Sequence, residues 1–291
     1  MRLADDQVTT AEVRDWRGLH LLHFATSSCS QKVRILLGEK GIDWISHPVN
    51  LARHENATPW FLGINPRGVV PVLVHDGVVH VESNDIMEYL DTQVPSAAPP
   101  LLPRDEAERQ IARASLARED ALHHALRTIT MGFLVPVAAA RKPSRTLETY
   151  EHGGAADEHR TREVAWWRDF ARQGVPRADA LAAAAAFAAA FAQLDADLGT
   201  RSWLLGERIS VLEIAWFISL HRLVLAGYPV ARHARLEAHY ARLRQRPAFA
   251  REIGAGGAVA LLMRAYARYR RLTRSTLAEL LAAGDAAGAP R

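Results

Sequence analysis

A chain of 291 residues that is 49% hydrophobic and 23% charged is globular rather than disordered, and it can bury a sizeable core, most readily as two units. A net charge of +4 without a nucleic-acid motif reads as a solvated basic surface and excludes nucleic acid as the expected partner. A single cysteine excludes an internal disulfide and fits a reducing, cytoplasmic compartment; no apolar run reads as a stable membrane insertion, and residues 1–17 lack the order of a signal peptide.

Those first 17 residues are polar and weakly patterned, which predicts a loose extension. Leu19 to Phe24 then reads as a compact apolar strand. His20 and His23 sit on it three apart, so they face opposite sides and do not share a metal. In the next stretch Val33, Leu36 and Leu37 have helical spacing, Thr26-Ser27-Ser28-Cys29-Ser30 clusters small polar groups at the start, and Gly41 suits the end. Ile42 to Val49 is a second strand, and two parallel strands need that helical crossover. Residues 50–68 read as a loop and a short helix. Val72 to Val74 and Val78 to Val81 are β-branched runs joined by Asp76-Gly77, a pair suited to the positive φ of a tight hairpin turn. Pro71 opens the first of them, where a missing ladder donor is tolerated. Ser83 offers a side-chain oxygen to cap a helix running to about Gln93. Strand, helix, strand, hairpin, helix is a thioredoxin-like α/β order.

Residues 94–104 hold four prolines and form a linker. Everything after them reads as helix. Asp105 to about Ala140 is one long amphipathic helix through Ile111, Leu116, Leu122, Leu126, Ile129 and Phe133, kinked near Pro136. Residues 141–156, with Pro143 and Gly153-Gly154, are a loop. Glu158 to Gln173 and Ala178 to Leu198 are helices, the second with a buried stripe of Phe187, Phe191, Leu194 and Leu198. Ser210 and Glu213 form a capping box ahead of an apolar helix. Leu236 to Phe249 is a further helix. Gly256 to about Ala283 is one basic helix carrying Arg264, Arg268, Arg270, Arg271 and Arg274, packed against the rest of the protein rather than on a membrane.

The order Val70-Pro71-Val72-Leu73, turn, strand, Glu82-Ser83, apolar helix resembles the glutathione-binding half of the glutathione S-transferase superfamily, over about residues 19–93. Ser27-Ser28-Cys29-Ser30 is similar to the zeta-class motif, and Ser-x-Cys-Ser also resembles the tetrachlorohydroquinone reductive dehalogenases. Gly206 to Glu213 resembles the signature of the family's helical domain, with Leu212-Glu213 in place of Ala-Asp. The resemblance implies a thioredoxin-like domain over residues 18–93 after the extension 1–17, the linker 94–104, and an all-α domain over 105–291.

It also implies roles for particular residues. Val70, before a cis Pro71, would offer its backbone to the cysteinyl part of glutathione; Glu82 and Ser83 would hold the γ-glutamyl end; His54 or Asn56 would meet the glycyl carboxylate. Ser27, with Ser28 as the alternative hydroxyl, would stabilise the thiolate, or Cys29 would form a mixed disulfide. His123, Arg127 and Thr128 would line the electrophile pocket, and the 141–156 loop would lie over the site as a lid. The function implied is a glutathione transferase of the detoxification type, attacking a small hydrophobic electrophile, homodimeric and free of metal. The alternatives are a thiol transferase or reductive dehalogenase using Cys29, an isomerase or ether-cleaving enzyme, and a non-catalytic glutathione-binding protein.

Overall fold

The computed structural model describes residues 1–152, 158–254 and 256–288. It divides into two compact units, one of Met1–Pro99 with Ala140–Gln173, the other of Pro100–Ala139 with Gly174–Arg291.

The first unit is built on a four-stranded sheet of order β2-β1-β3-β4. Strand β1 (Leu19–His23) feeds helix α1 (Ser28–Lys40), which returns to β2 (Ile45–Pro48), parallel to β1 with Leu21 opposite Ser46. Helix α1 starts where Ser27 Oγ accepts from the Ser30 amide at 3.2 Å, and it ends at Gly41 with φ of 61°. After the short helix α2 (Pro59–Leu62), strands β3 (Val72–His75) and β4 (Val78–His80) form the hairpin. Its turn takes φ of 48° at Asp76 and 81° at Gly77, the pair of positive values that a primed turn requires. The Val70–Pro71 bond is cis. Helix α3 (Ser83–Gln93) packs beside α1, and the buried Lys40 and Asp91 join them at 2.8 Å. This is the thioredoxin-like arrangement that the sequence predicts.

Three expectations in this unit need correction. Residues 1–17 are not a loose extension: Leu3, Val8 and Val13 are buried with Phe61, Ile64, Val72, Val74 and Val79, the Leu3 amide donates to Val79 O at 2.9 Å, and the Thr9 and Thr10 amides share Gly63 O. Gly63 accommodates this approach because a Cβ there would lie 2.3 Å from Thr10 Oγ1. Ser83 is the first residue of α3, and the cap position falls on Glu82, at φ 66° and without a side-chain cap bond. Residues 140–173, expected among the helices of a 105–291 domain, instead pack with the sheet unit.

The long helix predicted from Asp105 divides at Leu122 as well as near Pro136, giving α4 (Glu106–Ala121), α5 (His123–Phe133) and α6 (Val137–Ala140). The 141–156 stretch contains α7 (Ser144–His152), so it is not a simple loop; residues 153–156 lie outside the described ones. Helix α8 (Glu158–Gln173) follows in the first unit, and α9 (Arg177–Asp197) in the second. Helix α9 has 21 residues and a mean hydropathy of 1.2 over its most apolar window, so by length and composition it meets the measure of a membrane span that the sequence reading did not find. Ala180, Ala184, Phe187, Phe191 and Leu194 are buried within the unit, and α9 packs on α5; Leu198, read as part of that stripe, falls after the helix and is half-buried.

Helix α10 (Val211–Leu225) carries the predicted capping box, with Glu213 accepting from the Ser210 amide and hydroxyl at 2.7 Å and from the Leu204 amide at 2.6 Å. Helices α11 (Ala234–Leu243) and α12 (Pro247–Gly254) follow. The single basic C-terminal helix of the sequence reading is two, α13 (Ala258–Leu272) and α14 (Leu277–Gly288), separated where Arg274 adopts φ of 49°. Met263 and Ala267 are the buried positions of α13, and the Arg270 guanidinium lies 4.7 Å over the Phe133 ring.

Candidate functional site

Three short stretches of the first unit carry the predicted site residues. At the start of α1, Ser27 is the N-cap, Ser28 the first helical residue and Cys29 the second; all three are half-buried. A hydroxyl has one donor and two acceptor positions. The Ser30 amide takes one acceptor position of Ser27, so capping leaves the O–H free to donate to an anion at the helix terminus, where the macrodipole favours negative charge. The cap and the anion site are therefore compatible on one oxygen.

The second stretch is the turn before β3. Val70 is buried and lies outside the ladder, which begins at Val72 opposite Leu22, so among the described residues no neighbouring strand takes its amide and carbonyl. The third is the start of α3, where Ser83 is buried and Glu82 forms an ion pair with Arg67. Arg67 was not among the residues that the sequence singled out. Its only local signal is a basic residue in the Asn65-Pro66-Arg67-Gly68 turn, and its partner lies 15 residues on.

His54 and Asn56 occupy tight 3₁₀ turns between β2 and α2. Asn56 donates its Nδ2 to Gly68 O at 2.7 Å, while its Oδ1 and the Nδ1 of His54 are buried and without partners among the described residues. Burial first, then the positive charge of Lys142, hold the His54 imidazole below its ordinary pKa of 6.5, while a bond to the Leu51 carbonyl pulls the other way. Of the two glycyl-carboxylate candidates, Asn56 thus has an amide donor committed to the turn, and His54 has a buried ring nitrogen that no described residue satisfies. Lys142, from the segment before α7, is a cation beside this loop that the sequence reading passed over because it is remote in the chain.

His20 and His23, set aside as metal ligands, make separate contacts. His20 Nδ1 lies 2.9 Å from His47 Nε2, whereas His23 contacts Ser46 Oγ at 2.8 Å and Arg34 at 3.0 Å. Among the described residues no cluster of His, Cys, Asp and Glu has the makings of a metal site.

The expected electrophile-pocket residues belong to the second unit. His123 is exposed, Arg127 half-buried, and Thr128 buried with its hydroxyl donating to His124 O at 3.0 Å within its own helix. Thr128 therefore meets its hydrogen-bonding need locally.

Comparison with known proteins gives this geometry a family. The model of the glutathione S-transferase N-terminal domain matches residues 26–93. Glutathione S-transferase Z1 of Arabidopsis thaliana is 44% identical over 93 residues, which are 32% of this chain and 41% of that protein. Maleylacetoacetate isomerase of Mus musculus is 43% identical over 95 residues, 32% of this chain and 43% of that protein. The chain thus spans about two fifths of the length of the curated relatives it matches. Among solved structures, the β-etherase LigF from Sphingobium sp. strain SYK-6 aligns with a TM-score of 0.70 at 27% identity, covering 81% of this chain and 98% of that one. Residues 26–93 thus carry a glutathione S-transferase N-terminal domain with zeta-like relatives, and the fold of the chain is that of the glutathione S-transferase superfamily.

Proposed function

We propose that this chain is a glutathione-dependent enzyme that holds glutathione on its first unit and uses the thiolate to attack a small hydrophobic electrophile. The observation that carries the reading is the free O–H of the Ser27 cap at the start of α1, on the same unit as the unladdered Val70 and the Glu82-Ser83 start of α3. In this reading Val70 pairs with the cysteinyl backbone, Glu82 attracts the γ-glutamyl ammonium, Ser83 and the α3 terminus take its carboxylate, and His54 faces the glycyl end. Arg67 already neutralises Glu82, so the ammonium joins an existing ion pair rather than a bare carboxylate. Ser27 donates its proton in a hydrogen bond to the sulfur and lowers the cost of the anion.

The relatives favour a second reading of the same thiolate. One bears the name of an isomerase and one of a β-etherase. Addition of the sulfur to carbon with loss of an aryloxide is ether cleavage; addition followed by departure of the same sulfur is isomerisation. Cys29 supports a third chemistry, in which its thiolate attacks oxidised glutathione, forms a mixed disulfide and releases one glutathione thiolate. A two-fold homodimer in the cytoplasm, without metal, completes the proposal.

The test is intact mass after incubation with oxidised glutathione, together with conjugation of a generic aryl halide, for wild type, Ser27→Ala and Cys29→Ala. The expected result is no adduct on Cys29, and conjugation lowered by roughly one to two orders of magnitude in Ser27→Ala only. An adduct on Cys29 with activity lost in Cys29→Ala would transfer the chemistry to the thiol. Activity untouched by either substitution would overturn both assignments.

A further inference from the structure

Four consecutive carbonyls in the turn before Val70 are each held by a side chain. Arg160 Nη2 donates to Pro66 O at 2.7 Å, the Tyr150 hydroxyl to Arg67 O, Asn56 Nδ2 to Gly68 O at 2.7 Å, and Asn65 Nδ2 to Val69 O at 2.9 Å. A surface turn ordinarily leaves such groups to water and moves accordingly. Here the next residues are Val70 and the cis Pro71.

Two of the four donors come from far along the chain, from α7 and α8, 83 and 94 residues away from their acceptors. They act together: the Arg160 guanidinium lies 5.7 Å from the centroid of the Tyr150 ring. That ring lies against Gly68, where a Cβ would come within 2.6 Å of Tyr150 Cε2. Arg160 is only 3% exposed, and among the described residues its Nε and Nη1 have no hydrogen-bond partner while Nη2 bonds Pro66 O. The turn also carries Arg67, whose carbonyl takes the Tyr150 hydroxyl while its guanidinium pairs with Glu82. Fixing this turn therefore fixes two parts of the proposed site, the backbone of Val70 and the partner of Glu82.

We propose that Tyr150 and Arg160 are positioning residues for glutathione, a clamp supplied by α7 and α8 that holds the Pro66–Val69 turn in its binding conformation. The proposal rests on the glutathione reading above. Neither residue acts on the reacting sulfur; the clamp raises affinity because the turn is already ordered when the ligand arrives. Loss of the clamp therefore raises KM for glutathione and leaves kcat at saturation unchanged.

The experiment compares wild type, Tyr150→Phe, Arg160→Gln, Arg160→Lys and Glu82→Gln by hydrogen exchange over residues 66–70 and by kinetics in varied glutathione. Tyr150→Phe keeps the ring against Gly68 and removes only the hydroxyl, so it tests the hydrogen bond in a folded protein. Faster exchange at 66–70 and a KM raised roughly three- to tenfold at constant kcat are expected for Tyr150→Phe and Arg160→Gln. Arg160→Lys, which keeps a donor, should recover part of the effect. Tyr150→Phe combined with Arg160→Gln, measured alongside, should raise KM by less than the product of the two single effects, because both hold one turn. Wild-type exchange and KM in Tyr150→Phe and Arg160→Gln, with KM raised in Glu82→Gln, would overturn the clamp alone. Loss of kcat at unchanged KM would also overturn it. Absence of any glutathione binding by wild type would overturn the glutathione reading and the clamp's ligand together.

Discussion

Lys40 and Asp91 show what a single pair can decide inside the sheet unit. Their side chains are 3% and 0% exposed and 2.8 Å apart, and Lys40 Nζ also reaches the carbonyls of Ala98 and Pro99. Burying two charges is tolerable only while each keeps its partner. Lys40→Met should therefore cost about 3–5 kcal/mol in urea unfolding by leaving Asp91 uncompensated, and Lys40→Met with Asp91→Leu should return part of that loss. A single variant as stable as wild type would show that the pair is not buried as described. At the same scale, the sequence could single out Ser27, Val70, Glu82 and Ser83 as candidates because each belongs to a contiguous motif whose order carries the information. Arg67, Lys142, Tyr150 and Arg160 were not: what matters about them is a contact, and for Tyr150 and Arg160 the partners are 83 and 94 residues away. No periodicity records such a distance.

Elements with strong terminal chemistry were also readable. The Asp76-Gly77 hairpin, the Ser27 cap with Gly41 at the other end, and the Ser210–Glu213 box all form where the sequence places them. Glu213 is the most committed of these groups. It is buried, and burial raises its carboxyl pKa while bonds from Ser210 and Leu204 pull the other way. Glu213→Ala would strand the Leu204 amide and the Ser210 amide and hydroxyl without their acceptor, an expected loss of about 2–4 kcal/mol in chemical denaturation, whereas Ser210→Ala should cost only about 1 kcal/mol. Equal effects from the two would contradict this division. The elements that the sequence misplaced lack such signals. The break between α4 and α5 falls at Leu122, without glycine or proline, and the α13–α14 break puts Arg274 at φ 49°. Leu3, Val8 and Val13 are five apart, a spacing that is neither strand nor helix, so their burial left no pattern to read.

Across the molecule, the two units share one electrostatic liability. Burial, the largest cause in each case, pushes His23 and His80 of the first unit down to about 4, and in the second unit His239 to about 4 and His221 to about 3, from an ordinary 6.5. Nearby arginines, Arg34 for His23, Arg242 for His239 and Arg222 for His221, act in the same direction. A histidine whose folded pKa is depressed contributes stability that is present above 6.5 and is lost as pH falls towards the folded value. Glu213, raised, works in the opposite sense over part of that window. With His47 and His54 also held below the ordinary value, six histidines against one raised carboxyl leave a net loss, so the melting temperature should fall on going from about pH 7 to about pH 5. A flat profile would show that these rings accept protons in the folded state. The assignment of residues 140–173 to the sheet unit also belongs to this scale. Their helical composition told where helices form, and long-range contacts such as those of Tyr150 and Arg160 tell which unit they serve.

The measurement that tests the central claim most directly is the apparent pKa of the glutathione thiol when bound, followed by thiolate absorbance in wild type and Ser27→Ala. The account predicts a bound thiol at least about one unit below the ordinary value of roughly 8.5 in wild type, returning towards it in Ser27→Ala. A bound thiol that titrates like the free one, or that is equally shifted without the Ser27 hydroxyl, would contradict it.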